Sequence, residues 1–223
     1  MSTDQSALLE RYHAALTGVF GRPTRVLVRG EGVHVWDADG RRYTDLLAGI
    51  AVNALGHGHP ALVRAVSEQV ATLGHVSNLF TSEPQIRLAE RLLELAGAPA
   101  GSTVFFANSG TEANEAAFKL ARRWGNNQDP EKNEIISFYN GFHGRTLFTV
   151  SVGGQEKYTK GFEPLPGNIT HLPFNDLQAV ADHISSKTCA VVVEPVQGEG
   201  GVTPATAAFI RGLRALCDQH QAL

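Results

Sequence analysis

Three consecutive residues, Ser109, Gly110 and Thr111, are of the types expected in an anion-binding turn. Hydroxyl groups and free backbone N–H groups both bind phosphate, and a glycine lets the chain turn tightly. Glu112 follows at the start of an apolar pattern with helical spacing, where a carboxylate suits the positive end of the helix dipole. The pattern has two interpretations, a phosphate site or an ordinary helix cap made by Ser109 or Thr111.

This Ser-Gly-Thr turn (residues 108–111) differs from the common nucleotide-binding loops. No Gly-Lys-Ser/Thr sequence follows it, and it lacks the G-x-G-x-x-G spacing of dinucleotide-binding turns. A phosphate held here would therefore belong to another kind of ligand.

Two later segments, the aromatic loop (141–145) and the glutamate loop (194–201), carry side chains that could complete a binding site. Phe142 and Arg145 follow one predicted strand, and Glu194 and Glu199 lie at the end of another and just beyond it. Because α/β proteins bind ligands at the carboxyl ends of their strands, we expect both loops and the Ser-Gly-Thr turn to meet at one edge of the sheet. Together they would suit a phosphorylated planar ligand and an anionic substrate.

The elements that position these residues alternate along the second half of the chain. Periodicity and turn residues predict strands at 103–107, 134–138 and 189–194, and helices at 111–124, 175–184 and 206–220. Such alternation predicts an α/β fold with a mostly parallel sheet and helices on both of its faces.

The first part of the chain predicts smaller elements. They are a helix at 4–16, short strands at 25–28, 33–36 and 42–45, and helices at 60–73 and 84–96, each opened by a proline. We expect residues 1–48 to form a helix and a small antiparallel meander, as part of a small domain, and residues 49–223 to form part of a larger one.

A Gly-His-Gly-His sequence at 56–59 raises the question of a metal site. His57 and His59 are not accompanied by further ligands at zinc-like spacing, so no metal is expected. Small residues are dense from 49 to 58, which favours a loop packed closely against another chain or a ligand.

The composition is that of an ordinary globular protein. The 223 residues are 43% hydrophobic and 18% charged, and the net charge of −3 gives no reason to expect nucleic acid or an anionic membrane as a partner. No apolar run is long enough to cross a bilayer, and the N-terminus lacks a secretory signal pattern. The two cysteines, Cys189 and Cys217, are expected to be reduced thiols in the cytoplasm.

Three motifs in these segments resemble those of the class III aminotransferases, which use pyridoxal phosphate. They read NSGTEANE at 108–115, GFHGR at 141–145 and EPVQGEGG at 194–201. Within the family, the sequence is most similar to the acetylornithine aminotransferases and the related succinylornithine transaminases, from about Val26 onward. The resemblance implies fold type I of the pyridoxal-phosphate enzymes, the aspartate-aminotransferase-like fold, with 49–223 in the large cofactor-binding domain.

The resemblance also implies roles for individual residues. It assigns six residues to the cofactor: Ser109, Gly110, Thr111, Phe142, His143 and Glu194. The Ser-Gly-Thr turn would hold the phosphate, and Phe142 would stack on the pyridine ring. Arg145 would bind a substrate carboxylate, and Glu199 would act as a gate that pairs with an arginine for one substrate and releases it for the other. From the residues alone, a core aromatic, a surface arginine and a capping or solvated acid stay open at 142, 145 and 194.

The implied reaction transfers the amino group of N-acetylornithine to 2-oxoglutarate, in arginine biosynthesis or catabolism. One alternative is a relative that acts on succinylornithine, ornithine, 4-aminobutyrate or an acylated diaminopimelate. The other is a non-catalytic protein that binds a phosphorylated ligand. The expected partners are small-molecule substrates and, for the complete enzyme, a second copy of the chain in a homodimer.

One requirement of the family is not met by this sequence. The resemblance implies that the lysine that forms a Schiff base with the cofactor, and an aspartate for the pyridine nitrogen, come after Leu223. We interpret the five lysines present as solvated surface residues: Lys119, Lys132, Lys157, Lys160 and Lys187. The chain is therefore expected to be the N-terminal half of the enzyme, with an incomplete sheet, no catalytic residue of its own and no activity alone.

Overall fold

The computed structural model describes residues 4–223, which fall into two compact units, one ending at Arg91 and the other spanning Leu92–Leu223. This division does not test the predicted domain boundary after residue 48, which stays a prediction. Among the helices of residues 4–223, none is long and apolar enough to cross a membrane.

The first unit combines helices with a small antiparallel sheet. Its elements are α1 (Gln5–Ala15), β1 (Leu27–Glu31), β2 (His34–Asp37), β3 (Arg42–Thr44), α2 (Ala48–Ala51), α3 (Pro60–Thr72) and most of α4 (Glu83–Leu95), which continues past Arg91. The strands pair antiparallel in the order β1-β2-β3, so the predicted meander is confirmed together with the helices α1, α3 and α4. The short α2 is a left-handed turn, since its φ angles run from +49° to +65°.

The second unit is built on a parallel sheet. Its elements are α5 (Gly110–Asn126), β4 (Glu134–Phe138), α6 (Leu147–Val152), β5 (Ile169–Leu172), α7 (Leu177–His183), β6 (Thr188–Val191), β7 (Val196–Gln197), β8 (Thr203–Pro204) and α8 (Ala207–His220). Strands β5 and β6 lie parallel to β4 on either side, and β7 and β8 form a separate antiparallel pair. The sequence does not predict α6 or β5, because elements of six and four residues leave little periodicity to detect.

The core lies on both faces of β4, whose successive residues point to opposite sides. Ile135 packs with Phe118 of α5 on one face, and Ile136 packs with Val180 of α7 and Phe209 of α8 on the other. All five side chains are at most 3% exposed, and burying each contributes about 1.5–3 kcal/mol. The predicted α/β class, with a parallel sheet covered on both faces, is confirmed.

The strand predicted at 103–107 is not present as a strand. Val104 and Phe106 are half-buried whereas Phe105 between them is exposed, which is the alternation of an extended chain. However, this segment makes no backbone hydrogen bond within residues 4–223, and a strand exists only when another strand pairs with it. The pattern predicted the alternation of half-buried and exposed side chains correctly and the strand pairing wrongly.

One lysine is buried, so the interpretation of all five as solvated is wrong. Lys132 is 4% exposed, and its ammonium group donates to the backbone carbonyls of Ser186 at 3.3 Å and His220 at 3.0 Å. His220 ends α8, where carbonyl groups lack helical partners and a cation is favoured. Lys132 lies in a polar loop of the sequence, and one of its acceptors is the carbonyl of His220, at the end of a helix that is distant along the chain.

Candidate functional site

Ser109 caps the first turn of α5. Its hydroxyl accepts the amide N–H of Glu112 at 3.2 Å, and the Glu112 carboxylate accepts the amide N–H of Asn108 at 2.6 Å. This reciprocal pattern is close to a capping box and decides between the two predicted caps in favour of Ser109. The amides of Gly110 and Thr111 make no hydrogen bond in the described chain, so both are free to bind an anion at the start of a 17-residue helix.

The Ser-Gly-Thr turn contacts the aromatic loop and the helix that follows it. The Thr111 hydroxyl lies 2.8 Å from the hydroxyl of Thr149 in α6, and Asn114 donates to the backbone carbonyl of His143 at 2.8 Å. Gly144 has a φ of +127°, and a Cβ built on it would lie only 2.1 Å from Thr111 Oγ1. Only glycine fits both the backbone conformation and this close approach.

The glutamate loop holds the aromatic loop from another side. Glu194 accepts the amide N–H of Phe142 at 3.0 Å, and the side-chain amide of Gln197 donates to the carbonyl of Tyr139 at 2.9 Å. Glu194 lies three residues beyond the end of β6 at Val191, whereas the predicted strand reached it. The predicted meeting of the three loops is nevertheless confirmed by these contacts.

Phe142 and Arg145 both contact a second aromatic residue, Tyr158. The rings of Phe142 and Tyr158 meet edge to face with their centroids 6.2 Å apart, and the Arg145 guanidinium carbon lies 4.4 Å from the centre of the Tyr158 ring. The Lys157 ammonium nitrogen is 4.6 Å from the same ring. Sequence reasoning missed Tyr158 because it lies in a single 3-10 turn, Glu156–Tyr158, without a motif around it.

His143 lies buried behind the aromatic loop. Its ring meets that of Phe118 edge to face, and its Nε2 atom is 3.4 Å from the Ser137 hydroxyl. Burial, and secondarily the nearby His171, lowers the pKa of His143 to about 4. The imidazole is therefore neutral at pH 7.

The two carboxylates of the glutamate loop have different environments. Burial raises the pKa of Glu194 above its usual value, although hydrogen bonds from the amides of Phe142 and Gly198 oppose the shift. Glu199 is exposed, and its negative charge adds to the rise. No arginine is among the contacts of Glu199 in the described part of the chain, so its gating role stays a prediction.

The Gly-His-Gly-His segment has a structural contact in the first unit. His57 Nε2 lies 2.7 Å from the Asp45 carboxylate, and the His57 backbone pairs with Gly32. Residues 4–223 contain no group of three or more histidine, cysteine, aspartate or glutamate side chains arranged to hold a metal ion. The position of this loop against another chain or a ligand stays a prediction.

The second unit thus offers groups that suit a ligand with an anionic end and a planar ring. Two free amides and the start of a helix suit an anion, Phe142 is an aromatic residue, and Arg145 is a cation. Residues 20–223 match the model of the family described as Aminotransferase class-III. The chain belongs to the class-III aminotransferases.

Individual aminotransferases show the same similarity. The succinylornithine transaminase/acetylornithine aminotransferase of Pseudomonas aeruginosa is 59% identical over 197 residues, which are 88% of this chain and 48% of that protein. Among solved structures, the N-acetylornithine aminotransferase of Stenotrophomonas maltophilia is 39% identical with a TM-score of 0.78, covering 96% of this chain and 52% of that one. The ornithine aminotransferase of Toxoplasma gondii, whose active site has partial occupancy of PLP, has a TM-score of 0.91 at 25% identity, over 99% of this chain and 52% of that one.

These similarities confirm the family resemblance, fold type I and pyridoxal phosphate as the cofactor of this aminotransferase. The chain spans about half the length of the relatives it matches. The roles of Ser109, Gly110, Thr111, Phe142 and Glu194 toward the cofactor stay predictions. The same holds for His143 toward the cofactor and for Arg145 and Glu199 toward the substrate.

Proposed function

We propose that this chain is part of an enzyme that transfers the amino group of N-acetylornithine to 2-oxoglutarate, in arginine metabolism. The observation that carries the proposal is the contact between the Ser-Gly-Thr turn, the aromatic loop and the glutamate loop. It occurs in a chain 59% identical to a relative named for acetylornithine and succinylornithine.

The cofactor, when bound, supplies an electron sink for the carbanion left after a proton leaves the substrate. In this proposal the amides of Gly110 and Thr111, with the hydroxyls of Ser109 and Thr111, hold its phosphate. Phe142 packs on its ring and so fixes the orientation of the reacting bond. Neutral His143 fills the space behind the aromatic loop without adding a charge there.

The substrate-binding part of the proposal rests on two charged residues. Arg145 has the planar, two-pronged donor geometry that binds a carboxylate, and Tyr158 holds its guanidinium group on one side. Exposed Glu199 would pair with an arginine when the acylated amine is bound and release it when 2-oxoglutarate is bound. This exchange would let one pocket accept two dissimilar substrates.

Succinylornithine is the second candidate substrate, because the Pseudomonas aeruginosa relative bears both names. Ornithine is a third, since the Toxoplasma gondii neighbour is an ornithine aminotransferase. All three contain the same ornithine carboxylate and differ in what is attached to one amine. Residues that contact the acyl group would decide among them.

We also infer that the complete protein is a homodimer in the cytoplasm. The first unit exposes large apolar side chains in and next to α2, including Leu46, Ile50 and Val52, which suits burial against a partner. Both cysteines are free thiols, which suits a reducing compartment.

A chimaera tests the proposed activity. Residues 1–223 are joined to the remaining part of the Pseudomonas aeruginosa relative, and glutamate formation from 2-oxoglutarate is measured with N-acetylornithine, N-succinylornithine, ornithine and 4-aminobutyrate as amino donors. We expect the two acylated ornithines to be used best, and the 223-residue chain alone to give no turnover. A folded, cofactor-loaded chimaera without activity toward any of the four donors would contradict the proposal.

A further inference from the structure

Thr149 is a fully buried hydroxyl side chain to which the proposed function gives no role. It lies in α6 with 0% exposure, and its Oγ1 atom is 2.8 Å from the Oγ1 atoms of both Thr111 and Thr146. A buried hydroxyl must be hydrogen-bonded, so Thr149 influences which acceptors the hydroxyl protons of Thr111 and Thr146 reach.

Counting donors limits where the protons of this threonine cluster can go. Each hydroxyl has one proton to donate, and the Thr146 hydroxyl donates its proton to the carboxylate of Glu115. Thr146 can therefore only accept from its threonine neighbours. Thr149 can donate to Thr146, at the hydroxyl (2.8 Å) or at the backbone carbonyl (3.3 Å), in which case Thr111 donates inward to Thr149. Alternatively Thr149 donates to Thr111, whose own proton then goes either to Thr146 Oγ1, 3.3 Å away, or out of the cluster.

A bound phosphate distinguishes these two arrangements. A phosphate dianion accepts hydrogen bonds and has no proton to offer, so Thr111 helps to bind it only as a donor. Gly144 packs against both hydroxyls, since a Cβ there would lie 2.1 Å from Thr111 Oγ1 and 2.6 Å from Thr149 Oγ1. Such an enclosed hydrogen bond is stronger than one in water, and a hydroxyl that accepts a proton becomes a better donor.

We propose that Thr149 is a positioning residue for the cofactor phosphate. Its buried hydroxyl holds Thr111 Oγ1 and donates to it, which directs the Thr111 proton to the phosphate. This inference rests on the proposed function, because it takes the Ser-Gly-Thr turn to be the phosphate site.

The test measures binding of pyridoxine 5′-phosphate and of pyridoxine to the 223-residue chain by titration calorimetry. Neither compound has the aldehyde that reacts with a lysine, and the ratio of their dissociation constants isolates the contribution of the phosphate. We expect Thr149→Val to reduce this ratio about threefold to tenfold, the range of one net hydrogen bond, and to leave pyridoxine binding unchanged. Thr149→Ser should restore the ratio.

Thr146→Val is the matched control, because it removes a hydroxyl from the same cluster whose proton is directed to Glu115. It should change the ratio less than twofold. In a Thr111→Val background, Thr149→Val should have no further effect, whereas a merely structural role would lower the ratio in both backgrounds and overturn the proposal. If Thr149→Val does not fold by circular dichroism, Thr149→Ala and Thr149→Ser provide the same comparison.

The outcomes separate the two levels of inference. An unmodified chain that binds both compounds equally would remove the phosphate site itself, and with it the role of Thr149. A chain that prefers pyridoxine 5′-phosphate, and keeps that preference in Thr149→Val, would overturn the role of Thr149 alone.

Discussion

Glu194 and Phe142 are joined by a hydrogen bond in which the carboxylate of the first accepts the backbone amide of the second at 3.0 Å. The glutamate loop therefore fixes the backbone from which the Phe142 ring projects. Glu194→Ala would leave that half-buried amide without an acceptor, and we expect the free energy of unfolding to fall by about 1–3 kcal/mol. Urea denaturation measures the change.

Two further variants show whether this loss comes from the hydrogen bond. Glu194→Gln keeps an acceptor oxygen and should cost less than about 1 kcal/mol. Glu199→Ala removes an exposed carboxylate of the same loop and should leave stability unchanged. Equal losses in Glu194→Gln and Glu194→Ala would show that the charge matters and the amide contact does not.

Gly144→Ala should disrupt the contact between the aromatic loop and the Ser-Gly-Thr turn. The added methyl group would lie 2.1 Å from Thr111 Oγ1 at a φ of +127°, so the backbone must move. We expect a loss of about 2–4 kcal/mol in stability. Gly161→Ala is the control, since it combines a φ of +91° with open space around the Cβ, and it should cost only about 1–2 kcal/mol.

Tyr158 should matter for substrate carboxylates through Arg145. In the chimaera, Tyr158→Leu removes the ring that lies 4.4 Å from the guanidinium carbon, and we expect the KM for N-acetylornithine to rise about threefold to tenfold. Tyr158→Phe keeps the ring and should behave like the unmodified enzyme. A fall in kcat at constant KM, or an equal effect of both substitutions, would contradict the positioning role.

The sequence predicted the loops of this site better than their supports. The Ser-Gly-Thr turn, Phe142 and Arg145 stand out because their residue types and spacing suit a ligand. Tyr158 and Thr149 do not, since nothing local in the sequence shows that a distant segment will fold against the site. The prediction of the fold has the same limit: local patterns were predicted, and contacts between distant segments were not.

Long helices were predicted from their periodicity, and the buried strand β4 was predicted from its apolar residues Ile135, Ile136 and Phe138. The segment 103–107 has an equally strong pattern, yet it has no strand beside it within the described residues. Pairing is a non-local property that the period of one segment does not contain.

Neutral His143 should make stability depend on pH. Its folded pKa of about 4 lies below the unfolded value near 6.5, so the unfolded chain binds more protons between these values. The contribution of His143 to the free energy of unfolding is greatest above about pH 6.5. It decreases as the pH falls, by up to roughly 3 kcal/mol at pH 4. Urea unfolding followed by Trp124 fluorescence in a Trp36→Phe background would measure it.

The variant His143→Phe removes the titrating group and should flatten this pH dependence. Exposed His75 provides the comparison, because His75→Asn should leave the pH profile of the unmodified chain intact. Identical profiles for the unmodified chain and His143→Phe would show that other groups cause the acid sensitivity.

Buried Lys132 has two opposing effects on stability, and a single substitution shows which of them is larger. Its ammonium group donates to the carbonyl of Ser186 and to that of His220, the last residue of α8, but removing that charge from water is costly. Because both carbonyls would lose their donor in Lys132→Met, we expect the free energy of unfolding to fall by about 1–3 kcal/mol. Lys160→Met, at an exposed position, should change it by less than about 0.5 kcal/mol. A more stable Lys132→Met would mean that the desolvation cost of the ammonium group exceeds the value of its hydrogen bonds.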